Sequence, residues 1–497
     1  MPDVAPDPGP KHAAPPSLPR LGGLVLRSAV LPGSGHLATG HRRVGWLLLG
    51  LTAVALAGLV AFGVVAYVSP GTVAGLAFRP AWLSALRWGV PALALLWLAA
   101  LVSATVAARP GTRGRAGRLV AGGLVVVLAA AVAVPTVVTS RYAAVQQGFL
   151  DDVFADTPTR PAGAAEPAPI ANGRLNVLLV GSDAGPDRTG TRTDTIILAS
   201  VDTRTGRTVL FTLPRNLEQV PFAPGSVMAA RFPDGWDCGD GCLLNGIYSW
   251  ATDHPDLFPG DPEPGMTALR SAVTASLGLP IDYQVTVDLA GFASLVDALG
   301  GVTIRVERRL PIGGLDADGN RVRPSGYIEP GLQDMTGETA LAYARSRSDS
   351  TDYERVQRQR CLLGAIQRQA DPRTLITNFQ RLISSTADAL RTDVPRSLLP
   401  DLVDLAFKVK ERPLESLTFT PPLIDVTEPD YAAMRAQVQA AIRPPSTAVP
   451  TTPPTTPAPP PVPTAAPPSV PPAVPGPTPT PSPDGVPVSV EQVCAYA

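Results

Sequence analysis

Leu175-Asn-Val-Leu-Leu-Val180-Gly-Ser-Asp183, then Thr195-Ile-Ile-Leu-Ala-Ser-Val201 and Thr208-Val-Leu-Phe-Thr-Leu213, is the stretch that decides the fold. Its first run reads as a buried, β-branched strand, and the next two continue the pattern. Tyr283–Val287 and Val302–Val306 read as two further strands. Between them Leu289, Phe292, Leu295, Val296 and Leu299 follow a helical period that Gly300-Gly301 closes. Further helices are expected near Met266–Leu277, Thr336–Tyr343, Asp352–Gln369, Arg373–Leu390 and Arg396–Lys410. Strands alternating with helices predict an α/β domain, a central β-sheet flanked by helices on both faces.

Upstream, three apolar segments, Val44–Val68, Trp88–Ala108 and Leu119–Val138, are each long enough to cross a bilayer core of about 30 Å. Lys11, Arg20, Arg27, Arg42 and Arg43 precede the first, and Arg109, Arg113, Arg115 and Arg118 separate the second from the third, against Arg79 and Arg87 between the first two. The positive-inside rule then places residues 1–43 in the cytoplasm and delivers the chain after Arg141 to the outer face of the cell membrane. A cleaved signal peptide is disfavoured, because the first apolar stretch starts late and two more follow. Pro32-Gly-Ser-Gly-His36 is read as a loop in preference to a re-entrant turn. The first and third spans carry no ionisable side chain, which leaves little support for a transport path.

The expected organisation is a cytoplasmic segment 1–43, a three-span membrane region 44–140, a linker 141–173, an extracytoplasmic domain 174–443, and a disordered Pro-rich tail 444–497 ending near Cys494. The tail is almost entirely Pro, Thr, Ala, Val and Ser, a composition that builds no core. It would bridge wall material or hold the terminus away from the domain. All four cysteines fall on the outer, oxidising side. A local Cys238–Cys242 disulfide and a Cys361–Cys494 link are expected, with a zinc site in the Cys238 loop as the competing reading.

With 41 Lys and Arg against 42 Asp and Glu, the chain has no global field for nucleic acid. Its only lysines are Lys11, Lys408 and Lys410, so cationic work falls to arginine, a planar bidentate fork for phosphate. Only His254 lies beyond the membrane region, which disfavours histidine triads and multi-histidine metal sites. Arginine is concentrated in Ala344-Arg-Ser-Arg347 and Thr351-Asp-Tyr-Glu-Arg355-Val-Gln-Arg358-Gln359. If Thr351 and Glu354 form a capping box, then Asp352, Arg355, Arg358 and Gln359 share a helix face. Arg345 and Arg347 point the same way only if their segment is extended. The bland alternative is a solvated charged face, with Asp352 serving only the helix start.

Asp183 ends the first strand and Asp194, in Arg192-Thr-Asp194-Thr, precedes the second. Together they would make a hard oxygen site suited to Mg²⁺, although a strand-end Asp is more often a turn or cap residue. Leu213-Pro-Arg215-Asn216 adds a guanidinium to the same rim.

In this order, with Leu244-Asn245-Gly-Ile-Tyr248, Ile281-Asp-Tyr283, Val287-Asp-Leu-Ala-Gly-Phe292 and Val296-Asp-Ala-Leu-Gly-Gly-Val302, these motifs resemble the LytR–CpsA–Psr family of bacterial cell-envelope proteins over about Leu175 to Gln369. The resemblance implies a membrane-anchored enzyme that moves a glycopolymer from a polyprenyl-pyrophosphate lipid to a peptidoglycan hydroxyl, forming a phosphodiester with Mg²⁺ assistance. It implies Asp183 and Asp194 as metal ligands, with Arg192, Arg215, Arg345, Arg347, Arg355 and Gln359 on the pyrophosphate and Arg358 beside them. Asp352 would orient Arg355 or accept the acceptor's proton. Asn216 stands where the family usually has Asp, and three spans replace its common single anchor. Two alternatives remain: a lipid pyrophosphatase using water, and a non-enzymatic wall-polymer-binding or regulatory membrane protein.

Overall fold

The computed structural model describes residues 26–69, 73, 75–76, 78–107, 114–153, 173–182, 193–239, 242–314, 320–370, 390–443, 485–490 and 494. The chain divides into two compact units, residues 1–156 with 396–404 and residues 157–395 with 405–497.

The first unit holds α1 (Ser34–Ala38), α2 (Arg42–Val68), α3 (Pro80–Ser84), a π-helical turn (Ala85–Gly89), α4 (Val90–Ala107) and α5 (Gly114–Val153). Three stretches, Arg42–Val68, Pro80–Val106 and Gly122–Gly148, are long and apolar enough to cross a membrane. Helices apolar on all sides suit a solvent that offers the backbone no hydrogen bonds. Two expectations are corrected here. Pro32-Gly-Ser-Gly-His36 is not a plain loop: it enters α1, with Gly33 at φ 103° and its missing Cβ leaving room for the Gly45 carbonyl, which a Cβ would approach to 2.4 Å. Within α1, His36 Nε2 lies 2.9 Å from Ser103 Oγ on α4. Nor does the linker begin at residue 141, because α5 runs on to Val153. Arg141-Tyr-Ala-Ala-Val-Gln-Gln contains good helix formers and no breaker, so the helix propagates beyond the apolar run.

In the second unit come β1 (Arg174–Ser182), β2 (Thr193–Asp202), β3 (Thr208–Leu213), α6 (Val227–Arg231), α7 (Ile247–Asp253), α8 (Pro264–Leu277), β4 (Tyr283–Val287), α9 (Leu289–Ala298) and β5 (Val302–Val306). After these the chain forms β6 (Leu310–Ile312), β7 (Gly326–Ile328), β8 (Gly331–Met335), α10 (Gly337–Arg345), α11 (Asp352–Gln369), β9 (Leu390–Thr392), α12 (Leu399–Lys410, of which 399–404 count with the first unit), β10 (Glu415–Thr418), α13 (Tyr431–Ile442) and β11 (Val488–Ser489). Seven strands make one mixed sheet in the order β11-β10-β3-β2-β1-β4-β9, and β5-β8 and β6-β7 form two small antiparallel pairs. The β1–β2 and β2–β3 pairs are antiparallel, while β4 and β10 join in parallel.

Alternation along β1 separates two cores. Leu178 and Val180 join Ile196, Leu198, Phe211 and the apolar sides of α8 and α13. Leu179 turns to the opposite face with Ile197, Leu210, Cys361 and Val490. A third cluster ties β5 and β8 to α9, α10 and α11 through Val296, Ile304, Met335, Ala340 and Leu362.

The expected strands are all present, β3, β4 and β5 at the bounds read from the sequence. Arg373–Leu390, expected as a helix, lies outside the described residues apart from Leu390, which begins β9. The 444–497 tail is corrected at its end: Val488–Ser489 pairs antiparallel with β10, Val490 is buried, and Cys494 is bonded to Cys361. An alternating Val-Pro-Val-Ser-Val run can serve an edge strand, where proline is tolerated. The remainder of the tail, residues 444–484, lies outside the described residues. The Cys238–Cys242 disulfide is present, so the two thiolates that the zinc alternative needs are bonded to each other.

Candidate active site

The register of β2 and β3 builds the centre. Ile196 pairs with Leu213, so two residues outward on each strand lie Asp194 and Arg215. Arg215 Nη1 donates to Asp194 Oδ1 at 2.9 Å, and both side chains are about three-quarters buried. Pro214 carries the chain out of β3, and Asn245 fixes the turn by donating its backbone N–H to the Arg215 carbonyl at 3.0 Å. The Leu244-Asn245-Gly motif thus holds the arginine's main chain.

Arg355, on the first turn of α11, brings its Nη1 to 3.9 Å from Asp194 Oδ2 and is only 3% exposed. Arg347 acts on the same carboxylate from the loop between α10 and α11. Burial alone would push the Asp194 carboxyl up. Arg215, Arg355 and Arg347 outweigh it and hold the group below the ordinary carboxylate range.

The placement of α11 follows from its start. Thr351 Oγ1 accepts from Glu354 N, and the Glu354 carboxylate accepts from Thr351 N at 2.7 Å, which is the capping box expected from the sequence. The preceding loop is held from several sides. Ser346 Oγ donates to the Pro311 carbonyl at 2.8 Å, and both Nη groups of Arg308 donate to the Asp349 carbonyl at 3.1 Å.

Arg358 does not join the Asp194 cluster. Its Nε donates to the Tyr343 carbonyl at 3.1 Å, and its Nη2 donates to the Ser346 carbonyl and to Ser350 Oγ. It therefore caps the C-terminal end of α10, where carbonyls lack intrahelical partners and a cation suits the dipole. Burial pulls its pKa down. The expectation that Arg358 reaches substrate is replaced by a positioning role: it fixes the 346–350 loop that carries Arg347. Arg345 differs from expectation too. It is the last residue of α10 and exposed, whereas Arg347 follows the cap Ser346, so no extended segment aligns the pair. Gln359 is half-buried on α11.

Asp183 and Arg192 lie outside the described residues, as does the side chain of Asp352, whose backbone opens α11. Among the described residues, the Mg²⁺ reading rests on Asp194 alone. An ionised carboxylate is a donor that suits an ion taking one or two carboxylates and completing its shell with other oxygens and water. Its Oδ1 is already engaged by Arg215, so a metal would share that carboxylate.

One residue escaped the sequence reading. Arg360, next to Gln359, is 4% exposed and donates through Nη1 to Thr418 Oγ1 at 2.8 Å, while its Nε and Nη2 meet no hydrogen-bond partner among the described residues. Burial pulls its pKa down to about 10, so it stays charged at neutral pH. Its neighbours in sequence share the same arginine-rich composition, and only the packing distinguishes it.

The LytR_cpsA_psr family model matches residues 155–439. Polyisoprenyl-teichoic acid–peptidoglycan teichoic acid transferase TagU of Enterococcus faecalis is 26% identical over 254 residues, covering 49% of this chain and 71% of that protein. Biofilm regulatory protein A of Streptococcus mutans is 24% identical over 244 residues, covering 48% of this chain and 54% of that protein, about half its length. The crystal structure of B. subtilis TagV is 23% identical, with a TM-score of 0.37 over 54% of this chain and 96% of that one. The family match takes in every site residue from Asp194 to Gln359 and more than half of the sequence. The chain belongs to the LytR_cpsA_psr family.

Proposed function

We propose that this protein is a phosphotransferase that moves a glycopolymer from a polyprenyl-pyrophosphate carrier to a peptidoglycan hydroxyl on the outer face of the cell membrane. The observation that carries the proposal is the convergence of Arg215, Arg347 and Arg355, from three separate segments, on the single carboxylate of Asp194. Phosphoryl transfer asks a protein mainly for positioning and for charge stabilisation, and guanidinium forks supply both.

In the reaction, the acceptor hydroxyl oxygen attacks the polymer-side phosphorus. The bridging P–O bond breaks, polyprenyl monophosphate leaves with the bond's electron pair, and the hydroxyl proton passes to a base. Arg215, Arg347 and Arg355 bind the diphosphate oxygens and gain strength as charge moves onto the leaving phosphate. Asp194 is a poor base because its pKa is held low. Its part is to align the arginines and, with Asp183, to hold Mg²⁺, which when bound would neutralise phosphate charge. Asp352 stands three residues before Arg355, and with the nearer Glu354 carboxylate engaged in the capping box it is assigned to the acceptor's proton. The outer-face location is supported by the basic residues flanking the spans and by two disulfides.

The regulatory name of the Streptococcus mutans relative favours a second reading, in which the arginines only grip anionic polymer. Full-length protein in nanodiscs, given lipid-linked polymer and peptidoglycan sacculi, separates the readings. Covalent polymer on the wall, abolished by Arg347→Ala, is the expected result. Released polymer phosphate without attachment would indicate a pyrophosphatase, and binding without turnover would leave only the regulator.

A further inference from the structure

Arg360 lies on α11 five residues, about 1.4 turns, past Arg355, and meets a different strand. Its partner Thr418 ends β10 and pairs in register with Thr212 on β3, so both side chains stand on the same sheet face. Ser416, two residues earlier on β10, shares that face. Thr212 is 3% exposed and Ser416 fully buried, and among the described residues neither hydroxyl has a hydrogen-bond partner. Three buried polar side chains without complete partners therefore sit under one helix. No carboxylate acts on Arg360 among the described residues, since burial is the one influence on its pKa.

The pattern of the missing partners carries chemical information. Nη1 is occupied, while Nε and Nη2, the two N–H groups along one side of the guanidinium, are open. That side donates two parallel hydrogen bonds to a carboxylate or phosphate. A buried guanidinium with an open fork is costly unless an anion meets it. β3 runs from Thr212 directly into Arg215, three residues on and so within about 10 Å. One strand end thus carries both Thr212, the register partner of Thr418, and Arg215, which meets Asp194.

We infer that Arg360, with the Thr212 and Ser416 hydroxyls, is a further phosphate-receiving point for the diphosphate substrate, beside those supplied by Arg215 and Arg355. This rests on the transferase reading of the neighbouring arginines and extends it to a residue outside their cluster. The helix shifts away from the sheet to admit the anion, and the hydroxyls complete its coordination.

Calorimetric titration of the full-length protein in nanodiscs with inorganic phosphate, inorganic pyrophosphate and geranyl pyrophosphate tests the inference. Arg360→Gln keeps a donor for Thr418 but removes the fork. It should weaken pyrophosphate at least tenfold, and Arg360→Lys should not restore it. The ligand-free Arg360→Gln protein should melt no lower than wild type, because an uncompensated buried charge has gone, which separates lost binding from lost folding. A loss shared by both diphosphates shows that the fork takes the group whatever carries it, and a loss confined to geranyl pyrophosphate shows that it takes the group only from a lipid. If Arg215→Ala abolishes binding while Arg360→Gln stays within twofold of wild type, the inference fails and the transferase reading stands. Should wild type bind none of the three, both fall.

Discussion

The two disulfides close loops of very different length, and this fixes how much each should stabilise the fold. Cys361 and Cys494 are 133 positions apart, Cys238 and Cys242 only four. In the chain-entropy account, a loop of this longer size removes about 5 kcal/mol of unfolded-state freedom, and the short one about 2 kcal/mol. The long link also holds β11 against β10 and keeps Val490 packed over Gly364 of α11, so its loss should free the sheet edge as well. Equilibrium urea unfolding of full-length protein is followed by the fluorescence of buried Trp236 and its neighbour Trp250, in the core that Cys242 joins and on the sheet face opposite Cys361. Cys361→Ser with Cys494→Ser should cost about 5 kcal/mol, against about 2 kcal/mol for Cys238→Ser with Cys242→Ser. A long-loop pair costing no more than the short-loop pair would refute the loop-entropy reasoning, and would mean that the C-terminal segment is already restrained in the unfolded chain.

Asp194→Asn removes the carboxylate shared by three guanidiniums. It should destabilise the fold by about 1–3 kcal/mol and abolish transfer, while metal-free affinity for pyrophosphate rises, read by thermal melts and calorimetry. The pH dependence follows in sign from the lowered pKa. The stabilisation that Asp194 contributes is complete above its unfolded value of 3.8 and is lost as pH falls through the lower folded value. The gap in melting temperature between wild type and Asp194→Asn should therefore stay constant from neutrality to about pH 4 and close only below it. Arg358→Ala should cost about 1–3 kcal/mol by stranding the Tyr343 and Ser346 carbonyls, and should lower kcat more than it raises KM because the Arg347 loop is loosened. Thr351→Ala, which breaks the capping box, should cost about 1 kcal/mol in the same melts.

Much of the fold is legible because local signals agree with the tertiary outcome. β3 has hard edges: Gly206 at φ 75° before it and Pro214 after it leave only Thr208–Leu213 for the ladder. The capping box fixed α11 from four residues. Sheet order was not legible. β10 and β11 join far from β3 in sequence, and their pairing depends on packing and on Cys494, which no local pattern encodes. The site divides in the same way. Asp194 and Arg215 could be paired from strand positions, whereas the spacing of Arg355, Arg358 and Arg360 on one helix says nothing about which guanidinium meets a carboxylate, a carbonyl or no partner.

That division bears on how the site works. Arg358 spends its donors on carbonyls, and Arg215 and Arg355 are restrained by Asp194, so the unliganded arrangement holds these guanidiniums in place before any phosphate arrives. Preorganised cations lower the ordering cost of binding and need little rearrangement as charge develops in the transition state. Crowded like charges repel, however, and among the described residues no countercharge meets buried Arg360. The ligand-free fold therefore carries a strain that an anion relieves. A diphosphate that binds the folded state alone, at one hundred times its Kd, adds about 2.7 kcal/mol to stability by mass action. Because the strain belongs to the guanidiniums, sulfate or phosphate at high concentration should stabilise wild type more than the Asp194→Ala, Arg215→Ala double variant, in which the cluster has lost its alignment. Equal stabilisation of the two proteins by these anions would mean that the arginines are ordinary solvated surface charges.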